Sequence, residues 1–189
     1  MNRPDISKPG GGPLHFRPAS AGDVRAVVEL IESAYRGDAS RAGWTTEADM
    51  LDGRRTGADD IEDILVRRQS RLLLAERDGE LLACAHVAVE DGAGYFGMFS
   101  VRPTRQGEGL GKQVLAEAEN IAAQQWGCTM MRMTVIDIRD ELIAFYQRRG
   151  YRCTGIKKPF PYGDARFGLP NRNDLRFEVL EKPLVGPAQ

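Results

Sequence analysis

The stretch Val101-Arg102-Pro103-Thr104-Arg105-Gln106-Gly107-Glu108-Gly109-Leu110-Gly111-Lys112 joins an apolar, aromatic run, Gly94 to Val101, to a segment from Gly109 to Trp126. In that segment Leu110, Val114, Leu115, Ala118, Ile121 and Ala122 recur at helical spacing. A strand that enters a helix through glycines leaves the helix's first backbone N–H groups unpaired and aimed at the loop. With the positive end of the helix dipole they form an anion site, and glycine lets the backbone approach the anion closely. A phosphate-bearing ligand is expected here. Two common phosphate loops fail on spacing. GxxxxGK[ST] would need glycine at Gln106 and Ser or Thr at Gln113, and GxGxxG/A would need Gly or Ala at Lys112 or Val114.

Upstream, Leu14 to Arg17 reads as a short strand, and Ser20 or Asp23 can cap a helix carrying Val24, Val27, Val28, Ile31 and Tyr35, with Gly37 at its end. A short helix is expected over Thr46 to Leu51 and another over Ala58 to Gln69. Arg71 to Glu76 and Glu80 to Val89 form a hairpin about Asp78-Gly79. Downstream come a strand from Thr129 to Ile136, a helix from Arg139 to Arg149 closed by Gly150, a strand from Tyr151 to Ile156, an irregular loop from Lys157 to Asn173, and a last strand from Asp174 to Glu181. Hairpins followed by strand–helix alternation predict a single α/β (α+β) domain over 14–184, a mixed sheet of about seven strands with helices on both faces. Residues 1–13 read as a flexible Pro/Gly leader and 185–189 as a loose tail.

The chain has 189 residues, and its 26 basic and 27 acidic side chains leave a net charge of -1. That balance argues against a general electrostatic grip on nucleic acid or anionic membrane, and no apolar run approaches the roughly 20 residues that cross a bilayer. With no secretory leader evident, a cytoplasmic setting is expected. Cys84, Cys128 and Cys153 are widely spaced in apolar surroundings and read as buried free thiols, and His15 and His86 stand apart with no ligand pattern, so no metal is expected.

The segment Gln106-Gly107-Glu108-Gly109-Leu110-Gly111, preceded by Val101-x-Pro103, resembles the pyrophosphate loop of the GNAT superfamily, the GCN5-related N-acetyltransferases. The resemblance continues in Leu142-Ile143-Ala144-Phe145-Tyr146-Gln147-Arg148-Arg149-Gly150-Tyr151, one helix and one strand further on. It implies an acyl-CoA N-acyltransferase fold and an acetyl-CoA cosubstrate. The implied cofactor residues are Gln106, Gly107, Glu108, Gly109, Leu110, Gly111 and Lys112, with the backbone of Phe99 and Val101 on a bulged strand that splays from its neighbour and pairs with the pantetheine arm. Lys112, Arg148 and Arg149 are further candidates for phosphate contact. One position departs from the pattern: Arg139 stands where many members have Asn, seven residues before the tyrosine.

The implied reaction attacks a thioester with an amine. The amine must be neutral although a lysine-like amine has a pKa near 10.4, the oxyanion needs donors, and the departing thiolate benefits from an acid. The resemblance makes Tyr146 that acid. Tyr95 to Val101 contains no carboxylate, which leaves Glu47, Asp49, Glu90 or a water chain as base, or an acceptor that arrives neutral. The resemblance implies that the acceptor, a small-molecule or peptide amine, sits between the first helical region and the C-terminal loop, with Tyr35, Trp44, Glu47, Phe160 and Tyr162 as candidate lining, joined by Phe167. Acids from the first region suit a cationic amine and Lys157, Lys158, Arg166 and Arg172 suit an anionic group, so a small zwitterion would satisfy both. A homodimer is left open, as is a non-catalytic acyl-CoA-binding sensor.

Overall fold

The computed structural model describes residues 12–185. The expected leader and tail lie outside the described residues, apart from Gly12, Pro13 and Val185. Strands are β1 (His15–Pro18), β2 (Leu51–Asp52), β3 (Ser70–Arg77), β4 (Glu80–Glu90), β5 (Ala93–Val101), β6 (Met130–Ile136), β7 (Arg152–Pro159), β8 (Leu169–Pro170) and β9 (Arg176–Pro183). Helices are α1 (Val24–Tyr35), α2 (Gly37–Ser40), α3 (Ala58–Val66), α4 (Leu110–Asn120) and α5 (Asp140–Gln147). Seven strands form one sheet in the order β1-β3-β4-β5-β6-β9-β7. All its pairings are antiparallel except β5 with β6.

Period-two alternation divides the interior. Leu73 and Ala75 of β3 point to the face covered by Val114, Leu115 and Ala118 of α4 and by Leu142 and Phe145 of α5. Leu72 and Leu74 point to the other face, against Val27, Leu30 and Ile31 of α1 and Ile61 and Ile64 of α3. Each of these side chains is at least nine-tenths buried, a contribution of about 1.5–3 kcal/mol apiece for the larger ones. The entry to α1 is set by Ser20 and Asp23, whose carboxylate accepts the Ser20 N–H at 2.8 Å.

Several expectations are corrected. Thr46 to Leu51 is a run of turns ending in β2, which pairs with β8 inside the C-terminal loop. The one helical turn of this region lies earlier, at α2. β7 runs on to Pro159 because β9 extends opposite it, pairing Lys158 with Phe177 and Pro159 with Arg176. α4 gives way to a π turn over Ile121–Gln125. That wider winding turns Ile121, Ala122 and Ala123 all inward, which 3.6-residue spacing would not do. Cys84 and Cys128 are buried, but Cys153 is exposed, because outer strand β7 is solvated along most of its length. Among the described residues no helix is long and apolar enough to cross a membrane.

β5 and β6 pair at only two positions, Gly94 with Met131 and Tyr95 with Arg132. Glycine is needed at the first, since a Cβ there would stand 2.7 Å from the Met131 sulfur and 2.9 Å from the Ala122 Cβ. Beyond Tyr95 the strands diverge. On its other edge β5 is bulged: Cys84 faces Ser100 and His86 faces Gly97, so three steps on β5 match two on β4. Met98, in the bulge, takes a left-handed φ of 46°. The splayed ends of these two strands hold the site described next.

Candidate active site

The loop after β5 turns through Gly107 (φ 90°) and Gly109 (φ 78°), the latter forming the N-cap of α4. Open space lies where a Cβ would stand at either position, so glycine is required by the left-handed backbone rather than by crowding. The N–H groups of Leu110, Gly111 and Lys112 begin α4 and have no intrahelical acceptor. Gly111 seats this turn on an aromatic floor, its ideal Cβ lying 3.0 Å from Phe99 and 3.4 Å from Phe145.

A cleft of about 240 Å³ opens in front of that turn, walled by Tyr35, Trp44, Phe99, Val101, Gln106, Gly107, Gly109, Leu110, Gly111, Lys112, Tyr146 and Arg149. The sequence-level cofactor set is thus brought together, except for the side chain of Glu108. That carboxylate is turned onto Arg105 at 2.6 Å and Arg77 at 3.3 Å. Gln106 acts as a strut: its Nε2 donates to the Val101 carbonyl at 3.2 Å and its Oε1 accepts from the Trp44 N–H at 2.9 Å. The Phe99 carbonyl accepts the Tyr35 hydroxyl at 2.6 Å. Both strand carbonyls therefore already have one partner, and each keeps a second lone pair. Arg149 lies 3.4 Å over the Phe145 ring and donates to the Phe145 carbonyl, whereas Arg148 is exposed and outside the cleft.

Tyr146 is buried, packed edge-on against Phe96, Phe145 and Tyr151. Its hydroxyl has no hydrogen-bond partner among the described residues, unlike that of Tyr151, which donates to Glu119 at 2.9 Å. Burial, reinforced by Tyr35, holds its pKa well above the ordinary tyrosine value, so the group stays protonated. Tyr146 also lines a second cavity, of about 120 Å³, on the far side of the splay, shared with Tyr35, Glu47, Arg55, Tyr95, Arg139 and Phe167.

Glu47 lies deep beside that second cavity. Its Oε2 accepts from Arg36 at 2.7 Å and its Oε1 from Arg139 at 2.8 Å, and Arg139 also donates to the Thr45 carbonyl. Burial alone would raise the Glu47 pKa, but Arg139, Arg55 and Arg36 together outweigh it and hold the carboxyl below its ordinary value. Asp49 is exposed and bound to Arg41, and Glu90 lies outside this cavity, 3.8 Å from Arg67. The remaining acceptor candidates divide. Trp44 stands 5.7 Å from Phe145 over the first cleft, and Phe167 reaches the second cavity. Phe160 instead belongs to a small core with Leu51, Ile136 and Leu175, and the Tyr162 hydroxyl accepts the Leu175 N–H at 2.8 Å, so the two rings brace the loop. Lys157, Arg166 and Arg172 are paired with Asp137 and Glu178, with Asp164, and with Asp174. Arg36, Arg55 and Tyr95 were not among the expected residues. Arg36 and Arg55 flank a turn-rich segment with no periodicity to assign their direction, and Tyr95 lines the cavity where β5 and β6 part beyond it, which strand alternation alone does not announce.

A splayed parallel pair, an exposed helix start and a protonated tyrosine between two cavities define a class of acyl-transfer proteins. The family model for the acetyltransferase (GNAT) family matches residues 27–151, and the chain belongs to that family and is an acyltransferase. It is 29% identical over 164 residues to the "IAA acetyltransferase" of Azospirillum brasilense, covering 84% of this chain and 91% of that one. Its fold is shared with the ribosomal-protein-S18-alanine N-acetyltransferase of Escherichia coli (TM-score 0.67, 13% identity, 94% of this chain and 97% of that one). It is also shared with yncA of Salmonella typhimurium, solved with its cofactor acetyl-CoA (TM-score 0.67, 19% identity, 94% and 98%).

Proposed function

We propose that the protein moves an acetyl group from acetyl-CoA to a primary amine of a small molecule or peptide, by direct attack in a ternary complex, with Tyr146 as the proton donor. The observation that carries this reading is the unpartnered Tyr146 hydroxyl lining both cavities, the first of which ends at the open amides of α4. The first cleft fits coenzyme A in its chemistry. The Leu110, Gly111 and Lys112 N–H groups, with Lys112 and Arg149 nearby, would hold a diphosphate. The diverging edge of β5 leaves room for an amide-bearing arm to lie along it as an added strand. When bound, acetyl-CoA supplies the activated acyl thioester.

The chain's own groups then divide the work. Backbone amides of α4 and β5 orient the cosubstrate, and Tyr146 gives its proton to the departing sulfur. Glu47 is committed to two guanidiniums and is not the base. A cavity lined by Arg55 and Arg139 against one carboxylate, itself also bound to Arg36, lowers the pKa of an entering amine, so a larger fraction arrives neutral and water can carry its proton away. The test is a screen of amines, amino acids, polyamines and peptides with thiol release as readout, alongside direct titration of acetyl-CoA. Protein that binds no acetyl-CoA would remove the reading.

A further inference from the structure

We infer that the acceptor carries an anionic group, a carboxylate or its analogue, and that the guanidinium of Arg55 holds it in the cavity that Tyr146 also lines, which makes amino acids the substrate class. This rests on the acetyl-transfer reading above and adds to it a choice of acceptor. The charged groups lining that cavity are, apart from Arg55, paired with each other. Each Glu47 oxygen already accepts from a guanidinium, so its charge is shared between Arg36 and Arg139 before a cationic amine arrives. Arg139 donates to Glu47 and to the Thr45 carbonyl. Arg36 serves Glu47, with longer contacts to the Tyr35 and Phe167 carbonyls.

Arg55 differs from both. Its backbone N–H is fixed by Glu32 at 2.6 Å and its guanidinium lies 5.2 Å over the Tyr35 ring. Among the described residues no carboxylate pairs with it, so the planar fork of donors is directed by stacking and left unused. A stacked guanidinium with open donors is suited to bidentate capture of a carboxylate. The inner cavity also carries surplus positive charge, with Arg55 and Arg139 lining it against Glu47 alone, and an incoming anion removes part of it.

Arg55 stands at a junction, because it lines both the inner cavity and an outer mouth that share Tyr95, Met98 and Phe167. The mouth holds three carboxylates that would favour a polycation. Asp60, however, accepts from the Gly57 N–H and the Thr56 hydroxyl at the start of α3, and Glu90 faces Arg67. Asp63 and Arg166 also line the mouth, Arg166 being paired with Asp164. An acceptor that passes this mouth meets the unpaired Arg55 guanidinium, which lines both spaces.

The experiment titrates the CoA-loaded enzyme calorimetrically with matched pairs that differ by one carboxylate: L-leucine and 3-methylbutylamine, L-methionine and 3-(methylthio)propylamine, L-phenylalanine and 2-phenylethylamine, together with spermidine. Thiol release from acetyl-CoA is measured on the same panel. At least one acid should bind about tenfold or more tighter than its amine, the scale of a charge-assisted hydrogen bond. Arg55→Gln should collapse that ratio toward one, and Arg55→Glu should invert it. Equal binding within every pair, absence of acid binding, a ratio unmoved in Arg55→Gln, or preference for spermidine overturns the inference. Absence of acetyl-CoA binding would instead overturn the acetyl-transfer reading.

Discussion

Replacing Glu47 by Gln removes one negative charge from beneath Arg36 and Arg139 while keeping the side chain's size. The three side chains are 6%, 8% and 9% exposed for Arg36, Glu47 and Arg139, and the two contacts are 2.7 and 2.8 Å. Breaking a buried pair by removing one partner costs about 3–5 kcal/mol, because the remaining charge stays out of water. Gln still offers a carbonyl oxygen to one guanidinium, so the low end, about 3 kcal/mol, is expected. A domain of this length should then lose about 6–12 °C in Tm and remain folded, given a total stability of about 5–15 kcal/mol. The sign with pH follows from the depressed pKa of Glu47. Its stabilisation is fully present above the unfolded carboxyl value near 4.3 and is lost as pH falls through the lower folded value. Urea unfolding followed by tryptophan fluorescence should give a wild-type advantage that is constant from pH 7 to pH 5 and shrinks in stronger acid. A variant within about 1 kcal/mol of wild type at pH 7 would refute the reasoning, as would a gap that persists unchanged at the acid end.

Tyr146→Phe should lower kcat by about 10²-fold or more, the ordinary worth of a positioned general acid, with little change in acetyl-CoA affinity; an unchanged kcat in thiol release removes Tyr146 from the chemistry. Gly109→Val should weaken acetyl-CoA binding by calorimetry, because a φ of 78° costs a branched residue at least the roughly 1–2 kcal/mol of the left-handed region and its side chain enters the cleft. Undiminished affinity would show that the turn does not carry the cosubstrate. Tyr35→Phe deletes the 2.6 Å hydrogen bond to the Phe99 carbonyl and should cost about 0.5–1.5 kcal/mol in urea unfolding, an effect absent if that carbonyl is equally well served by water.

The elements that build the proposed cofactor cleft were legible because backbone requirements write themselves into residue type. Gly107 and Gly109 appear as glycine for their φ, α4 as a helix for its Leu110-Val114-Leu115-Ala118 stripe, and β3 and β4 as a hairpin for Asp78-Gly79, both of which take positive φ. The acceptor side was largely illegible because it is made of side chains projected from turns. Thr46 to Leu51 has the composition of a capped helix but lies in turns, with β2 held by two residues of β8 more than a hundred positions away. Phe160 and Tyr162 stand in the Pro- and Gly-rich loop that the resemblance makes part of an acceptor site, yet that loop needs its own core: Phe160 supplies it with Leu51 and Leu175, while the exposed Tyr162 ties its hydroxyl to the Leu175 N–H.

Arg139 joins the two halves. On sequence alone it is a departure at the N-cap of α5; in the fold its guanidinium could not be buried there without a counter-charge, and Glu47 from the turn-rich segment supplies it. The same carboxylate takes up Arg36 at the end of α1, so one buried triad fixes the acceptor segment to both α1 and the helix that carries Tyr146. Gln106 adds a second tie, linking Trp44 of that segment to the loop that begins α4. The segment is therefore held across both cavities by contacts that consume the very residue best placed to act as a base. Loss of Glu47 should then disturb the alignment of acceptor with Tyr146 as well as stability, so kcat should fall further than the fraction of unfolded protein explains.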